Sequence, residues 1–323
     1  MEGRTVKLRA VLASWGIVVG LVVPGLGQFR EASENTKGPK LGEAKVLKWQ
    51  AGVIVTAASG PCTGIVGYAP LPIAWPEQEL SVAEEDISPV CNVKNEMVEG
   101  TVRVMVVSIP HLPAGEEARA LITFEIRRHA LIAPKDTDIY TLPDPKRLPR
   151  EIRPYLAPSP KIESTSPKIK SLAKELTADK EKAWQAVEAI YDFVRDKVKH
   201  QKGPVKGALA ALRDGTGDVE DSTSLFIAIC RAANIPARTV WVPGHCYPEF
   251  YLLDDDGQGH WFPCEMKDSR SFGGINETRP ILQKGDNFRP PYNRHDRQRY
   301  LAEYLTGAGG KPQAKFVRQL GSL

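Results

Sequence analysis

Residues between positions 215 and 265 combine groups that a cysteine hydrolase needs. Such an enzyme uses a nucleophilic thiolate, a histidine base and a group that orients the histidine. His245 and Glu265 lie in two apolar segments that are typical of strands. Asp218 is a favourable N-cap, so a helix is predicted to begin at Val219 and to run to about Ala233. A thiol at the start of such a helix has a lowered pKa, which makes this a favourable position for a nucleophile.

Four blocks of this region resemble the transglutaminase-like family, which belongs to the superfamily of papain-type cysteine hydrolases and acyltransferases. They follow the family's order and spacing and fall within residues 170–270. In the family, a turn into a helix carries the catalytic cysteine, and later strands carry a histidine and an aspartate. The matching blocks are Gly217-Asp218-Val219-Glu220-Asp221 with Leu225-Phe226, the run from Cys230 to Arg238, His245-Cys246-Tyr247-Pro248-Glu249, and Trp261-Phe262-Pro263-Cys264-Glu265.

The resemblance assigns three catalytic positions, and two of them depart from the family. The cysteine position holds Val219 and the aspartate position holds Glu265, whereas the histidine is retained as His245. Valine has no nucleophilic atom, so the family's acyl-enzyme route cannot start there. A glutamate still accepts a hydrogen bond from a histidine N–H, with one more methylene to place.

Other side chains are poorly placed to replace the missing thiol. Ser222 lies about 4.5 Å further along the helix axis, and Thr223 is next to it. Cys246 follows the histidine on a strand, so its side chain points to the opposite face. Cys230 is on the core side of the helix. An active enzyme with one of these as an unusual nucleophile stays an alternative.

The strand pairing that the resemblance implies also concerns two cysteines. If His245 and Glu265 are paired across antiparallel strands, Cys246 and Cys264 lie directly opposite each other, with Cβ atoms about 4.5–5.5 Å apart. That separation allows a disulfide in an oxidising compartment. The alternative is a pair of buried thiols. A metal site would need further ligands, and the sequence shows no clear set; no cofactor is implied.

Three more residues are candidates for the cleft beside the histidine. Tyr247 and Trp261 are expected to wall it, with simple packing as the alternative. Glu249 either lines the cleft or forms a salt bridge with Arg238, and the salt bridge is the simpler role.

The elements around these residues predict an α+β fold. Apolar residues recur at helical spacing within residues 179–199, and strands are predicted over 239–242, 245–253 and 260–265. By resemblance, this is a transglutaminase-like (papain-like) domain in which a buried helix packs on an antiparallel sheet.

Residues 44–133 instead show β patterning and predict an N-terminal antiparallel β-sandwich. Apolar residues alternate with polar ones over 117–127, and a valine stripe covers 102–106. The residues between them, 112–115, predict a hairpin connection. Cys62 and Cys91 both lie in this domain and form either a disulfide or two separate buried thiols.

The remaining segments complete the domain prediction. Prolines crowd residues 134–168, which predicts a connector without regular structure. The predicted divisions are a signal peptide over 1–27, a disordered lead-in over 28–43, the sandwich over 44–133, the connector over 134–168, the transglutaminase-like domain over 169–306 and a C-terminal tail over 307–323.

The net charge of the chain limits its partners, and the pattern of its N-terminal residues indicates its compartment. The formal net charge is only +4, which argues against a dedicated nucleic-acid-binding protein. Basic residues within 4–9, an apolar run over 10–23 and small residues at Gly25 and Gly27 are typical of an export signal. We therefore expect a periplasmic or extracellular protein, attached to a membrane only if this segment stays uncleaved.

Three hypotheses follow for function. The favoured one is an exported pseudoenzyme of the transglutaminase-like family that uses its cleft to bind a protein or peptide segment. The second is an active amide hydrolase or acyltransferase with an unusual nucleophile. The third is a structural protein in which the second domain supports the sandwich.

Overall fold

The alternating apolar pattern near the N-terminus folds into six strands. The protein is described here by a computed structural model that covers residues 37–321, so the predicted signal peptide over 1–27 lies outside the described residues. The predicted lead-in over 28–43 extends too far, because the first strand already begins at Lys40. The strands are β1 (Lys40–Thr56), β2 (Cys62–Leu71), β3 (Gln78–Ile87), β4 (Asn92–Val98), β5 (Val102–Leu112) and β6 (Glu117–Ile132).

Helices dominate the chain after the proline-rich connector. The connector contains one short 3-10 helix at Arg153–Leu156, which the proline content did not predict. A two-stranded parallel pairing lies just before the last helix. The elements are α1 (Pro167–Thr177), α2 (Ala183–Lys197), β7 (Lys199–His200), α3 (Ala208–Asp214), β8 (Thr216–Gly217) and α4 (Val219–Ala232).

An antiparallel five-stranded sheet follows and packs against α4. Its three long strands agree with the predicted ones, and its order is β12-β11-β10-β9-β13. Helices α1, α2 and α3 surround α4, whose apolar side chains from Leu225 to Cys230 are fully buried between them and the sheet. This confirms the predicted α+β arrangement with a buried helix. The strands are β9 (Ala237–Val242), β10 (His245–Leu253), β11 (Gly259–Glu265), β12 (Ser271–Phe272) and β13 (Gln283–Lys284).

The C-terminal residues return to the sandwich. Strand β14 (Tyr304–Gly309) pairs with β2, and β15 (Gln313–Gly321) pairs with β1, both antiparallel. The two sheets of the sandwich have the orders β15-β1-β6-β3 and β14-β2-β5-β4. The prediction of a tail over 307–323 is therefore wrong, because this segment contains β15 and the last residues of β14, which are edge strands of the two sheets.

The sandwich core confirms the predicted alternation but not the predicted hairpin. Ala118, Ala120 and Phe124 of β6 are buried in the core, as their spacing indicates. Strands β5 and β6 belong to different sheets, so the connection between them crosses the sandwich. The valine stripe of β5 lies outside that core, where Phe288 and Leu301 cover it. Within residues 37–321, no helix has the length and apolarity that a membrane crossing requires.

Candidate functional site

The site begins at the first turn of α4, which is fixed by a capping box. The Asp218 carboxylate accepts a hydrogen bond from the Val219 N–H at 2.6 Å, and the Asp221 carboxylate accepts one from the Asp218 N–H at 3.0 Å. Gly217 is required before this turn, because an added Cβ would lie 2.7 Å from the Asp221 Cβ. The structure confirms Asp218 as N-cap and makes Val219 the first helical residue.

Asp221 also attaches a neighbouring loop to this turn. Its second oxygen accepts hydrogen bonds from the backbone N–H groups of Lys206, at 2.7 Å, and Gly207, at 2.8 Å. The other end of the loop is held by the parallel pairing of β7 with β8, in which Lys199 lies beside Thr216. The segment from Lys199 to Gly207 is therefore connected to the start of α4 at both ends.

His245 and Glu265 form the predicted pair. His245 Nε2 lies 3.1 Å from Glu265 Oε2, and the two side chains are only 7% and 10% exposed. Burial raises the pKa of Glu265, but the hydrogen bonds from His245 and from the Lys267 N–H outweigh it and hold that pKa below its usual value. Glu265 therefore favours the ionised form, which can orient the imidazole and leaves Nδ1 as the free ring nitrogen.

Val219 lines a cavity and packs against the residue that follows His245. It packs in one small cluster with Trp241 and Cys246, the residue that follows His245. The cavity has a volume of about 200 Å³, and Met266, the residue after Glu265, also lines it. The full lining consists of Arg195, Val198, Lys199, His200, Val219, Ser222, Met266 and Lys267. The cavity, the start of α4 and the His245–Glu265 pair therefore occupy one region.

The alternative nucleophiles are hydrogen-bonded or buried in this arrangement. Ser222 lines the cavity, but its hydroxyl donates to the Asp218 carbonyl at 3.5 Å. Thr223 is fully buried and accepts a weak hydrogen bond from Cys246 Sγ at 3.8 Å. Burial raises the pKa of Cys246 to about 12 and that of Cys230 well above its usual value. Neither thiol is ionised at neutral pH, so neither supplies a thiolate.

The predicted cysteine pairing is wrong in its register. Strand β10 pairs Glu249 with Pro263, and continuing that register places Cys246 opposite Met266 rather than Cys264. Cys246 packs beside Val219, whereas Cys264 lies in the core beneath α2 and α4. All five cysteines, including Cys62 and Cys91, are free thiols in this structure. The alternative of buried thiols fits Cys62, Cys246 and Cys264, whereas Cys91 is partly exposed.

The three predicted cleft residues lie away from the cavity. Tyr247 and Glu249 are at most 1% exposed, so the prediction that Tyr247 walls an open cleft is wrong. The Tyr247 hydroxyl accepts a hydrogen bond from Arg128 at 3.1 Å, and Trp261 packs under the Arg238 guanidinium, 3.9 Å from the ring centroid. Both have the packing role that was the alternative.

Glu249 forms the predicted salt bridge and a second one. Its carboxylate accepts from Arg238 at 2.8 Å and from Lys284 at 2.7 Å, and Lys284 also donates to Glu77 at 2.6 Å. Burial raises the pKa of Glu249, but the two cations outweigh it and lower the net value. Glu77 lies just before β3 of the sandwich and the other residues belong to the second domain, so this buried network joins the two domains.

Sequence reasoning did not find the cationic residues around the site. Arg195, Lys199 and Lys267 line the cavity, and Arg299 lies on the other side of the first turn of α4. The available signal was the run from Lys197 to Lys206, which contains four lysines and a histidine without any acidic residue. For Arg299 there was none, because it lies far along the chain in an irregular segment.

A larger cavity, of about 390 Å³, lies near the start of α2. Its lining contains no histidine or cysteine, and its charges, which include Lys180, Glu181 and Lys182, are of both signs. We therefore assign the functional site to the smaller cavity, where the His245–Glu265 pair is close.

Comparisons with known proteins bear on the fold and on the family of one part of the chain. A candidate cysteine protease from Cytophaga hutchinsonii is similar in fold, with 17% identity and a TM-score of 0.55 over 88% of this chain and 94% of that one. The periplasmic domain of TgpA from Pseudomonas aeruginosa matches with 16% identity and a TM-score of 0.35 over 72% and 73% of the two chains. Curated protein sequences give no match. The sequence model of the transglutaminase-like superfamily matches residues 170–266, and this part of the chain is accordingly a transglutaminase-like domain.

Proposed function

We propose that this protein is a catalytically disabled member of the transglutaminase-like superfamily that binds a protein or peptide segment beside Val219. The observation that carries the proposal is the position of Val219 as the first residue of α4, lining the cavity next to the His245–Glu265 pair. An aliphatic side chain at this point can contact a bound chain but cannot attack it. The base and its orienting acid remain, so the loss concerns the attacking atom alone.

The Val219→Cys variant tests this proposal. A thiol at the start of α4 would be favoured as thiolate by the helix N-terminus. We expect the natural protein to show neither amine incorporation into peptides nor peptide hydrolysis, and the variant to gain one of them. The control is the double variant Val219→Cys/His245→Gln, which keeps the thiol, lacks the base and should be inactive.

The opposite results would contradict the proposal in distinct ways. Activity of the natural protein would show that another nucleophile is used. An amide-mimicking electrophile followed by peptide mapping would then identify it, and Ser222 is the first candidate because it lines the cavity. Activity that persists in the double variant would show that His245 is not the base.

Export is part of the same proposal. It is supported by the basic residues within 4–9, the apolar run over 10–23 and the small residues that follow. Cell fractionation of the full chain, with sequencing of the mature N-terminus, tests it. We expect a mature chain that begins near Gln28 outside the cytoplasm. A cytoplasmic full-length chain would contradict export without affecting the proposal on binding.

A further inference from the structure

The cavity beside Val219 is lined by basic side chains without acidic partners. Arg195, Lys199, His200 and Lys267 all contribute to its wall, and no aspartate or glutamate does. Within residues 37–321, none of these four forms an ion pair. Arg270 on the same domain differs, because it pairs with Glu188 and Asp192. Arg195, Lys199 and Lys267 therefore bring positive charge to the cavity that no carboxylate within residues 37–321 pairs.

Backbone contacts hold the Arg195 guanidinium and the backbone of Lys199 in place. The Arg195 guanidinium donates to the carbonyl of Glu265 at 2.9 Å and to that of Asp268 at 2.7 Å. Both acceptors are neutral, so they orient the side chain without cancelling its charge. The Lys199 N–H donates to the Gly215 carbonyl at 2.9 Å, which places this lysine beside the chain that leads into α4. The fold thus fixes the charge of Arg195 and the backbone position of Lys199.

The size of the cavity limits what it can receive. Its volume of about 200 Å³ is below the range of about 300–1,000 Å³ that is typical of pockets for drug-sized molecules. A single side chain of a longer ligand fits this dimension better than a free small molecule does. The floor, which includes Val219 and Met266, is apolar and suits a methylene stem.

We propose that this cavity receives an acidic side chain, aspartate or glutamate, of a bound peptide segment. The inference rests on the proposed function, because it names the chemical class of the peptide that the site would bind. A carboxylate would complement the unpaired cations, and charge-assisted hydrogen bonds from Arg195, Lys199 or Lys267 would make the contact selective for a charged group over its amide.

The direct test compares two fluorescent peptides by anisotropy. One is an N-acetylated, C-amidated oligoglutamate and the other is the oligoglutamine of equal length, so that only side-chain charge differs. We expect the glutamate peptide to bind at least about tenfold more tightly, in line with the strength of charge-assisted hydrogen bonds. Its affinity should fall as salt is raised, because ions screen the attraction.

Matched variants localise the effect. The double variant Lys199→Gln/Lys267→Gln should weaken the glutamate peptide by about tenfold or more. The control, Lys45→Gln/Lys94→Gln, removes the same charge from exposed lysines of the sandwich and should bind as the natural protein does. Thermal unfolding of both variants checks that they are folded. Equal affinity of the two double variants would overturn the inference.

Filling the cavity separates this inference from the proposed function. Val219→Trp should abolish binding of the glutamate peptide, and Ser222→Leu serves the same purpose if the tryptophan variant does not fold. If both peptides bind the natural protein equally and the cavity-filling variant blocks both, the site binds peptides and only the preference for acidic side chains is overturned. If neither peptide binds, both proposals fail. Equal affinity for an oligonucleotide of the same charge would also overturn the inference, because the site would then respond to charge alone.

Discussion

The two ends of α4 differ in whether the buried arginine beside them is paired and hydrogen-bonded. Near its C-terminal end, Arg231 is buried and its guanidinium is fully engaged. It forms a salt bridge of 2.8 Å with Asp286, and both side chains are only 1% exposed. It also donates to the carbonyls of Ala157 and Ala237 and to the Ser159 hydroxyl. These bonds connect the helix to the connector and to β9, so this charge is used to hold the structure.

At the N-terminal end, Arg299 is almost equally enclosed but is not engaged. Its side chain is 10% exposed, and none of its three guanidinium nitrogens has a hydrogen-bond partner within the described part of the chain. The nearest carboxylate, that of Glu220, is 3.8 Å away, and the guanidinium lies 5.7 Å from the Trp241 ring centroid. Unsatisfied polar groups do not stabilise a fold, so we expect Arg299 to contribute much less to stability than Arg231 does.

The largest expected effect concerns the engaged end. Arg231→Met would leave the Asp286 carboxylate buried without its cation, and breaking a buried pair in this way costs about 3–5 kcal/mol. Urea unfolding followed by circular dichroism should show this loss in the free energy of unfolding. The double variant Arg231→Met/Asp286→Leu is the control and should recover much of it. A loss below about 1 kcal/mol in the single variant would contradict the structural role.

A much smaller effect is expected at the other end. Arg299→Met removes donors that have no partner and only a long contact with Glu220, which is 33% exposed. We expect the free energy of unfolding to stay within about 1 kcal/mol of the natural value, or to rise, because an unsatisfied buried group is replaced by an apolar one. The same urea measurement applies. A loss as large as that of Arg231→Met would show that Arg299 is structural after all.

The same contrast explains what the sequence could predict. The start of α4, the long strands of the second domain and the pair of His245 with Glu265 follow from local rules and from the family blocks, and the structure agrees. The engaged and unengaged arginines look alike in sequence. Whether an arginine meets a carboxylate depends on chain segments far away, such as that of Asp286, which no local pattern reveals.

Three predictions failed for similar reasons. The β14 and β15 strands are mostly exposed edge strands, so they lack the apolar alternation that identifies a half-buried strand. The turn after β5 has ordinary hairpin residues, and only packing decides that it crosses between sheets. The predicted register of β10 treats His245 and Glu265 as directly opposite each other. Long side chains can also meet diagonally across two strands. The observed register, in which Glu249 pairs with Pro263, makes the contact of His245 with Glu265 a diagonal one.

The contributions of Glu265 and Glu220 to stability should change with pH in opposite directions. The pKa of Glu265 lies below its ordinary value of 4.5, because the hydrogen bonds from His245 and Lys267 outweigh burial. Its contribution to stability is therefore present above that ordinary value and is lost as the pH falls through the lowered pKa. Burial raises the pKa of Glu220 above the same value, although Arg299 partly opposes the shift. Its contribution is present below the ordinary pKa and is lost as the pH rises through the raised one.

Substituting Glu265 or Glu220 by glutamine tests these opposite pH dependences, because the amide keeps the shape of the side chain and cannot ionise. Unfolding free energies are compared between about pH 3 and pH 8, on both sides of the ordinary carboxyl pKa. Relative to the natural protein, Glu265→Gln should lose stability towards neutral pH, whereas Glu220→Gln should gain it there. If Glu220→Gln instead loses stability at neutral pH, its carboxylate is held by Arg299 more strongly than the 3.8 Å separation indicates. The N-terminal end of α4 would then be as firmly paired as the C-terminal end.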